Sequence, residues 1–543
     1  MSAATGEKLV LAIDQGTSST RAIAFDSTWA IRAGASRRLS IHHPQPGWAE
    51  QDPEEILASV VEVVGEVLET VGGVDAIAAV GLANQGETVV PWDRVTGQAL
   101  GPAVVWHCRR SQAIVARVAA AGHGDEIRAR TGLPLDPYFS AGKIRWLIEE
   151  VPAVAEAARA GRLAVGTIDA WLTARLGGLE GEAPRAAVGE ARHDGAAARD
   201  LAREVGRGRT DASTASRTQL FGLASLDWED DLLRWFGVPA DTVSSLGPSA
   251  GPLGTLSHPS WGGSLPLRAM LCDQQAALVG QGGHRPGTIK ATYGTGVFVL
   301  AQAGHVPPPS PPGILVTVGW TRPDGVPTYA LDGGVFSAGS LLDWLQTGLG
   351  ILETAGDLDP LAATVPDAGG VRLLPALAGL GAPWWDPDAR AVIAGISAGT
   401  RPGHIARAAI DAIAHRVADV IEAMTPHLPD AASPLRVDGG LTASDLLVQR
   451  QADLIGRPID VATTTESTAL GVALMAAIGA GRLTEARIAD VATTAGRIEP
   501  RLDEQTRAAE RSAWREFVRN AAALEPARTP TTSRPTMPAP SPT

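Results

Sequence analysis

The chain has 543 residues, which exceeds the size at which a single hydrophobic core stops growing, so two domains are expected. Its formal net charge of −13 argues against nucleic acid or an anionic membrane as the main partner, because either would favour a basic surface. The two cysteines, Cys108 and Cys272, exclude a disulfide framework and fit a reducing, cytoplasmic location.

The first structured segment is predicted to be a polar hairpin. Residues 11–26, LAIDQGTSSTRAIAFD, place a carboxylate and a run of hydroxyl side chains between two apolar strand-like segments. Segments of strand type then alternate with amphipathic helices through most of the chain, a pattern typical of an α/β fold. No uninterrupted apolar stretch is long enough to cross a bilayer, so no membrane association is expected.

Three later segments give the clearest secondary-structure predictions. The segment QDPEEILASVVEVVGEVLETV is predicted to be a helix with Asp52 as N-cap and Pro53 at its first position. Residues 76–85 are predicted to form a buried strand ending in polar groups, where α/β folds usually keep ligand-binding residues. Residues 404–424 are predicted to form a helix whose apolar face includes Ile405, Ala409, Ile413, Val417 and Val420.

Two regions interrupt this alternation. Residues 178–209 are rich in Ala, Gly and charge but have no sustained apolar stripe, which indicates a surface insertion. The composition becomes rich in Pro, Ser and Thr near residue 525, and we predict that residues 521–543 form a disordered tail.

The hairpin pattern of residues 11–26 recurs at residues 287–302, GTIKATYGTGVFVLAQ. Both segments consist of an apolar strand, a Gly-Thr turn and a second apolar strand. Taken alone, such turns often just close a hairpin. Two of them far apart nevertheless suggest two related domains with a phosphate chain between their turns, because Gly lets the backbone approach and Thr and Ser add donors.

Longer motifs carry a resemblance to a known family. They are PYFSAGKIRWL (137–147), DASTASRTQLF (211–221), CDQQAALVGQ (272–281), GLGAPWWDPDARAVIAGI (379–396) and RVDGGLTASDLLVQRQADLIG (436–456). In order and spacing the chain resembles the FGGY carbohydrate kinases from about residue 8 to about residue 515, and among them the members that phosphorylate glycerol.

The resemblance implies a fold and a reaction. The expected fold is α/β, with two ribonuclease-H-like, actin-like ATPase domains flanking a catalytic cleft. Residues 1–281 would bind the polyol and carry the catalytic acid, and residues 282–520 would bind the nucleotide. The expected reaction transfers the γ-phosphoryl group of ATP to a hydroxyl group of a small polyol.

The resemblance also implies the residues of phosphoryl transfer. Asp273 would accept the proton of the attacking hydroxyl group, and its alternative role is to cap the helix that follows it. Asp14 would hold Mg²⁺, because this ion prefers oxygen ligands and keeps several waters when it bridges phosphates. The alternative for Asp14 is to stabilise its own turn.

The nucleotide would be bound from both domains. In the first hairpin, Thr17, Ser18 and Ser19 would offer amides and hydroxyl groups to the phosphates, and Arg21 would add a cation. In the second domain, the positions that correspond to nucleotide contacts of the family are Thr295, Gly339, Asp343, Gly440 and Ser444. Asp343 replaces a family Gln and Ser444 a family Asn, which should alter the adenine or ribose contacts.

The acceptor pocket matches the glycerol-binding positions of the family, with one departure. The matching residues are Glu87, Trp106, Tyr138, Asp273, Gln274 and Phe298. The aromatic rings would face the C–H surface of a short polyol while the carboxylates and the phenol take its hydroxyl groups. Gly86, however, stands where the glycerol-phosphorylating members carry an Arg, so a guanidinium that would bind terminal hydroxyl groups is missing.

This departure keeps alternatives open. Without the guanidinium, the pocket would bind glycerol more weakly or admit a longer polyol such as erythritol, and a ketopentose is a further alternative. We expect Gly86→Arg to lower the Michaelis constant for glycerol. A non-catalytic, actin-like nucleotide switch is the alternative from a different class, and a homo-oligomer, dimer or tetramer, is expected from the family.

One prediction concerns regulation. Ser264 stands where some bacterial members carry an Arg that binds fructose bisphosphate. We therefore expect this sugar bisphosphate to inhibit weakly or not at all, which an initial-rate titration with the inhibitor would measure. A clear inhibition curve at physiological concentrations would contradict the prediction.

Overall fold

A computed structural model describes residues 8–178, 206–429 and 433–524. Its first sheet combines an antiparallel hairpin with parallel strands. The strands of this sheet lie in the order Ile31–Arg38, Ser19–Phe25, Leu9–Gln15, Ile77–Asn84, Gly263–Cys272, Thr255–His258 and Gly177–Gly178.

Three strands of the first sheet end at the same edge. Leu9–Gln15, Ile77–Asn84 and Gly263–Cys272 run parallel to one another. Gln15 pairs with Asn84, and Asn84 pairs with Cys272 on its other side. Because the carboxyl ends of parallel strands meet at one edge, the residues that follow these strands are brought together.

The second sheet repeats this plan. Its strands lie in the order Leu315–Thr321, Pro327–Val335, Val297–Gly304, Ile289–Tyr293, Leu435–Asp438, Ile459–Ala462 and Thr494–Ile498. The hairpin of Ile289–Tyr293 and Val297–Gly304 occupies the place that the first hairpin occupies in the first sheet, and the strand Leu435–Asp438 runs parallel to it. The two related hairpins predicted from the sequence therefore belong to two related sheets.

Short strands and helices complete two lobes, which are called the first lobe and the second lobe after the sheet that each contains. A small sheet consists of Glu50–Gln51, Ala103–Val104, Val89–Asp93 and Leu163–Thr167, and short pairs join Arg209–Asp211 to Ser245–Gly247, Phe221–Gly222 to Asp227–Trp228, and Arg372–Leu374 to Val392–Ala394. Helices that precede the second sheet are Pro53–Val71, Gln112–Ala120, Gly124–Thr131, Ser140–Glu150, Pro152–Arg159, Ile168–Leu176, Ala212–Ala215, Asp230–Phe236 and Asp273–Gly280. Later helices are Gly339–Thr347, Leu358–Ala362, Pro402–Met424, Asp445–Ile455, Ser467–Gly479, Ile488–Val491 and Glu504–Ala522.

The helix Ser467–Gly479, here called the central helix, packs against both lobes with glycines at its closest contacts. Gly471 lies so close to the helix Asp273–Gly280 that a Cβ would meet the carbonyl of Ala276. A Cβ at Gly280 would likewise meet the carbonyl of Ser467. Since these contacts are backbone against backbone, a side chain there cannot be accommodated by a change of rotamer.

The structure confirms the three clear secondary-structure predictions within two residues at each end. The first helix is Pro53–Val71, and the Asp52 side chain accepts a hydrogen bond from the amide of Glu54. The predicted strand is Ile77–Asn84. The predicted long helix is Pro402–Met424, with its predicted apolar positions Ile405, Ala409, Ile413, Val417 and Val420 all buried.

The two interrupting regions fall largely outside the described residues. This applies to residues 179–205 of the predicted insertion and to residues 525–543 of the predicted tail. The predicted tail begins too early, because the helix Glu504–Ala522 includes its first two residues. Among the described residues, no helix combines the length and the apolarity that a membrane span requires.

The packing of the central helix gives a stability prediction. Gly471→Ala should lower the free energy of unfolding by about 1–3 kcal/mol, because the added methyl group meets the carbonyl of Ala276, although Ala favours helices over Gly by about 1 kcal/mol. Gly65→Ala is the matched control, since Gly65 lies within a helix and its Cβ would be 3.9 Å from Trp261. Thermal unfolding of both variants would test this, and equal melting temperatures would contradict it.

Candidate active site

Three carboxylates approach one another at the shared edge of the first sheet. Asp14 is the sixth residue of the strand Leu9–Gln15, Glu87 follows the strand Ile77–Asn84, and Asp273 follows the strand Gly263–Cys272. The charge of Asp273 raises the pKa values of both Asp14 and Glu87, so Asp273 lies within electrostatic reach of each of the other two acids. The structure therefore brings together the residues predicted for metal binding, acceptor binding and proton transfer.

Asp273 begins the helix Asp273–Gly280. Its Oδ1 accepts a hydrogen bond of 2.6 Å from the amide of Gln274, but the residue at the N-cap position of this helix is Cys272. Burial raises the pKa of Asp273, and this amide and the nearby Lys290 cation partly offset the rise. A carboxylate with a raised pKa holds a proton more readily than an exposed one, which suits proton acceptance from an alcohol.

Asp14 has the more strongly shifted carboxyl group. Burial and the repulsion of Asp273 raise its pKa to about 7, while Arg21 opposes the rise. No group of three or more potential metal ligands occurs among the described residues. The half-buried carboxylate of Asp14 is an oxygen donor of the kind that Mg²⁺ takes together with substrate phosphates.

The phosphate-side residues of the first hairpin are tied to the acceptor side and to the second lobe. Thr17 Oγ1 accepts a hydrogen bond of 3.0 Å from Trp106 Nε1. Arg21 lies opposite Asp14 on the neighbouring strand and donates to both carboxylate oxygens of Glu466 at 2.9 and 3.1 Å. Ser18 is exposed and Ser19 begins the second strand of the hairpin.

The predicted nucleotide-binding residues of the second lobe lie near the helix Gly339–Thr347 and at Gly440. The amide of Gly339 donates to the carbonyl of Gly294, and a Cβ at Gly339 would lie 3.2 Å from Thr295 Cα, so these glycines hold the turn against the helix Gly339–Thr347. Asp343 is exposed on that helix. Gly440 has open space where a Cβ would be, as expected for a backbone that a ligand approaches.

Ser444 has a structural role that the sequence did not indicate. Its hydroxyl oxygen accepts a hydrogen bond of 3.1 Å from the amide of Leu447 and thereby caps the helix Asp445–Ile455. The same hydroxyl group donates to Asp359. These two bonds use the side chain inside the lobe, so it is less available to a nucleotide than an unengaged side chain would be.

Aromatic rings form the walls of the predicted acceptor pocket. The ring centroids of Trp106 lie 5.3 Å from Tyr138 and 6.2 Å from Phe298. Phe336, which the sequence did not single out, stacks on Tyr138 with centroids 6.4 Å apart. Rings from both lobes therefore enclose the space beside Glu87 and Asp273.

Two buried cations support the polar residues of this pocket. Lys290 Nζ donates to Gln274 Oε1 at 2.6 Å, and Arg217 Nε donates to Glu87 Oε1 at 2.7 Å. Burial raises the pKa of Glu87, and Arg217 and Lys143 partly offset it. The sequence motifs that contain Lys290 and Arg217 indicated no role for either residue. Nothing in a linear motif reveals a partner 130 residues away.

Position 86 is enclosed rather than open. A Cβ at Gly86 would lie 2.8 Å from the sulfur of Cys272 and 3.7 Å from Arg217 Cγ. Cys272 is buried beside Asp273, with its sulfur 3.6 Å from Asp273 Oδ1. The space expected from the missing Arg side chain is therefore bordered by the Cys272 thiol and the stem of Arg217.

The sequence matches two models of a single family. Residues 9–191 match the N-terminal domain of the FGGY family of carbohydrate kinases, and residues 289–480 match its C-terminal domain. Similar relatives include the glycerol kinases of Aromatoleum aromaticum, which is 42% identical over 94% of this chain and 98% of its own length, and of Citrifermentans bemidjiense, which is 41% identical over the same shares.

Similarity extends to solved structures. The crystal structure of Plasmodium falciparum glycerol kinase with ADP aligns with a TM-score of 0.84 and 28% sequence identity, covering 95% of this chain and 98% of that chain. Together with the two matching sheets, these similarities confirm the predicted α/β fold with two domains of the actin-like ATPase class.

Proposed function

The chain belongs to the FGGY family of carbohydrate kinases, and on that premise we propose that it is a glycerol kinase, which transfers the γ-phosphoryl group of ATP to glycerol and yields glycerol 3-phosphate and ADP. The observation that supports this most is the acceptor pocket, where the charges of Glu87 and Asp273 raise the pKa of Tyr138, whose ring packs against Trp106. Relatives of near-equal length that are named glycerol kinase support the same substrate.

In this proposal Asp273 accepts the proton of the attacking hydroxyl group. The amide of Gln274 and the Lys290 cation hold the carboxylate on one side, which leaves its other oxygen to aim the alcohol. Positioning and charge stabilisation supply most of the catalysis in phosphoryl transfer, because little covalent chemistry falls to the protein. Glu87 and Tyr138 would bind the remaining hydroxyl groups of the polyol, and Gln274 would stand beside Asp273.

We further propose that Asp14 holds Mg²⁺ that arrives with ATP. The ion would neutralise charge on the phosphates. It would also offset the repulsion from Asp273 that raises the pKa of Asp14. Thr17, Ser18, Ser19 and the turn at Thr295 would contact the phosphates with amides and hydroxyl groups. Arg21 would share its cation between Glu466 and the nucleotide.

A nucleotide switch without kinase activity is less well supported. A protein that only binds ATP has no use for a second, aromatic-walled compartment with a buried carboxylate. We also place the reaction in the cytoplasm, where ATP is supplied, and we expect a dimer or tetramer, which light scattering on the purified protein would measure.

The surroundings of Gly86 favour a short acceptor over a longer polyol. The sulfur of Cys272 and the stem of Arg217 border the position where the family Arg would begin. A polyol longer than glycerol would need that space, so we rank erythritol and the ketopentoses below glycerol.

The first test of the proposed function is a kinetic one. An assay coupled to ADP release should show that glycerol has a higher kcat/KM than erythritol, ribitol, xylulose and dihydroxyacetone. Preference for another of these acceptors would overturn the choice of glycerol while leaving the kinase assignment in place.

The second test concerns the proposed base. Asp273→Asn should lower kcat by at least about 100-fold, since general base catalysis contributes about 10²–10⁴-fold, while the dissociation constant for ATP stays within about threefold. Equilibrium binding of a fluorescent ATP analogue supplies the control measurement. Full activity in this variant would refute the role of Asp273.

The third test revises the expectation for position 86. Gly86→Arg alone should raise the KM for glycerol, because its Cβ forces the Cys272 thiol against the neighbouring Asp273. The double variant Gly86→Arg with Cys272→Gly removes that contact and should have a lower KM than the single variant. Initial-rate kinetics on both variants and on Cys272→Gly would decide, and equal KM values for the single and double variants would count against the contact.

A further inference from the structure

Arg217 is a buried cation beside the acceptor residues, and the sequence left it without a role. Its side chain is 4% exposed and lies in the loop after the helix Ala212–Ala215. Its guanidinium stands between two acids of different lobes, with Nε 2.7 Å from Glu87 Oε1 and Nη1 2.8 Å from Asp332 Oδ2. Its charge also opposes the rise in the pKa of Tyr138, the phenol of the predicted acceptor pocket.

The guanidinium is not saturated by these partners. Among the described residues, the bond to Glu87 is the hydrogen bond of standard geometry that the side chain donates, and Nη1 is buried without an aligned acceptor although Asp332 lies close. A guanidinium carries five N–H donors in a rigid fork. Asp332 already lies 2.8 Å from Nη1, so a hydroxyl group beside Glu87 would be bound by the donors of the fork that neither acid takes.

We propose that Arg217 is a specificity-determining residue of the acceptor site, and that its guanidinium orients Glu87 and donates a hydrogen bond to a hydroxyl group of the polyol. In this way it supplies the charged donor that Gly86 does not provide, since its stem passes 3.7 Å from the Cβ position at Gly86. This inference rests on the proposed kinase function. It deepens that function by naming a residue that favours glycerol over analogues that lack one of its hydroxyl groups.

The effect on substrate binding follows from the chemistry of the donor. Hydrogen bonds to charged groups contribute enough to change binding about 10- to 100-fold. A site built to bind a hydroxyl group also discriminates strongly against an analogue that lacks it, because its polar group is then left without a partner. Arg217 should therefore affect the acceptor more than ATP, and glycerol more than its deoxy analogue.

The test compares Arg217→Gln with the wild type on glycerol, 1,2-propanediol and 1,3-propanediol. The variant should raise the KM for glycerol about 10- to 100-fold and leave the KM for ATP within about threefold. Apparent inhibition constants of the two diols should show that the preference for glycerol over at least one diol falls by about tenfold. A purely structural role would weaken glycerol and both diols equally.

Arg94→Gln is the matched control. Arg94 is also buried and ion-paired, with Nη2 2.7 Å from Asp241 Oδ2, but it belongs to neither compartment of the proposed site. It should lower the melting temperature without changing the preference for glycerol over the diols. If Arg217→Gln does not fold, Arg217→Lys keeps the charge but not the fork, and it should show the same loss of preference.

The outcomes separate this inference from the proposed function. If the wild type does not phosphorylate glycerol, the proposed substrate is wrong, and the same comparison is then made with the accepted polyol and its deoxy analogues. A preference that stays within about threefold of wild type for every analogue overturns the role of Arg217. A parallel rise in the KM values for acceptor and ATP overturns it as well.

Discussion

The burial of several acids in one cleft, with nearby cations that offset its cost only in part, is the constraint on which the site depends. Burial raises the pKa values of Asp14, Glu87 and Asp273 and lowers that of Lys290. Isolated charges of one sign are unfavourable in a desolvated cleft, so such acids persist where the surrounding fold or a ligand compensates. A divalent cation with its phosphates and a polyol with its hydroxyl protons are ligands that would do so.

The fold holds this arrangement by means that act far from the acids themselves. Parallel strands end at one edge and fix where the acids emerge, and the backbone contacts of the central helix fix one lobe against the other. Among the described residues, two ion pairs cross between the lobes, Arg21 with Glu466 and Arg217 with Asp332. Arg21 pairs across the strands with Asp14 and Arg217 bonds Glu87, so both ion pairs hold the lobes together next to the acids.

The sequence predicted elements well where local patterns determine them and poorly where contacts are distant. Capping by Asp52 and the apolar face from Ile405 to Val420 follow from spacing within one helix, and the structure contains both. The start of the predicted tail was placed too early, because the composition of the chain changes gradually there. The helix Glu504–Ala522 is instead fixed by packing, for example of Trp514. The hydrogen bond from Ser444 to Asp359, 85 residues away, is one that no motif indicates.

The acceptor pocket shows why a substitution cannot be interpreted one residue at a time. From the sequence, Gly86 means the loss of a guanidinium and the gain of a space. In the structure, the Cys272 thiol borders that space and Arg217 brings a guanidinium to Glu87 from a different part of the chain. A cation beside a buried carboxylate interacts with it more strongly than a cation in water does, so the pair of Glu87 and Arg217 carries the charge balance at this place. Position 86 therefore has to be interpreted together with Cys272 and Arg217, which border it.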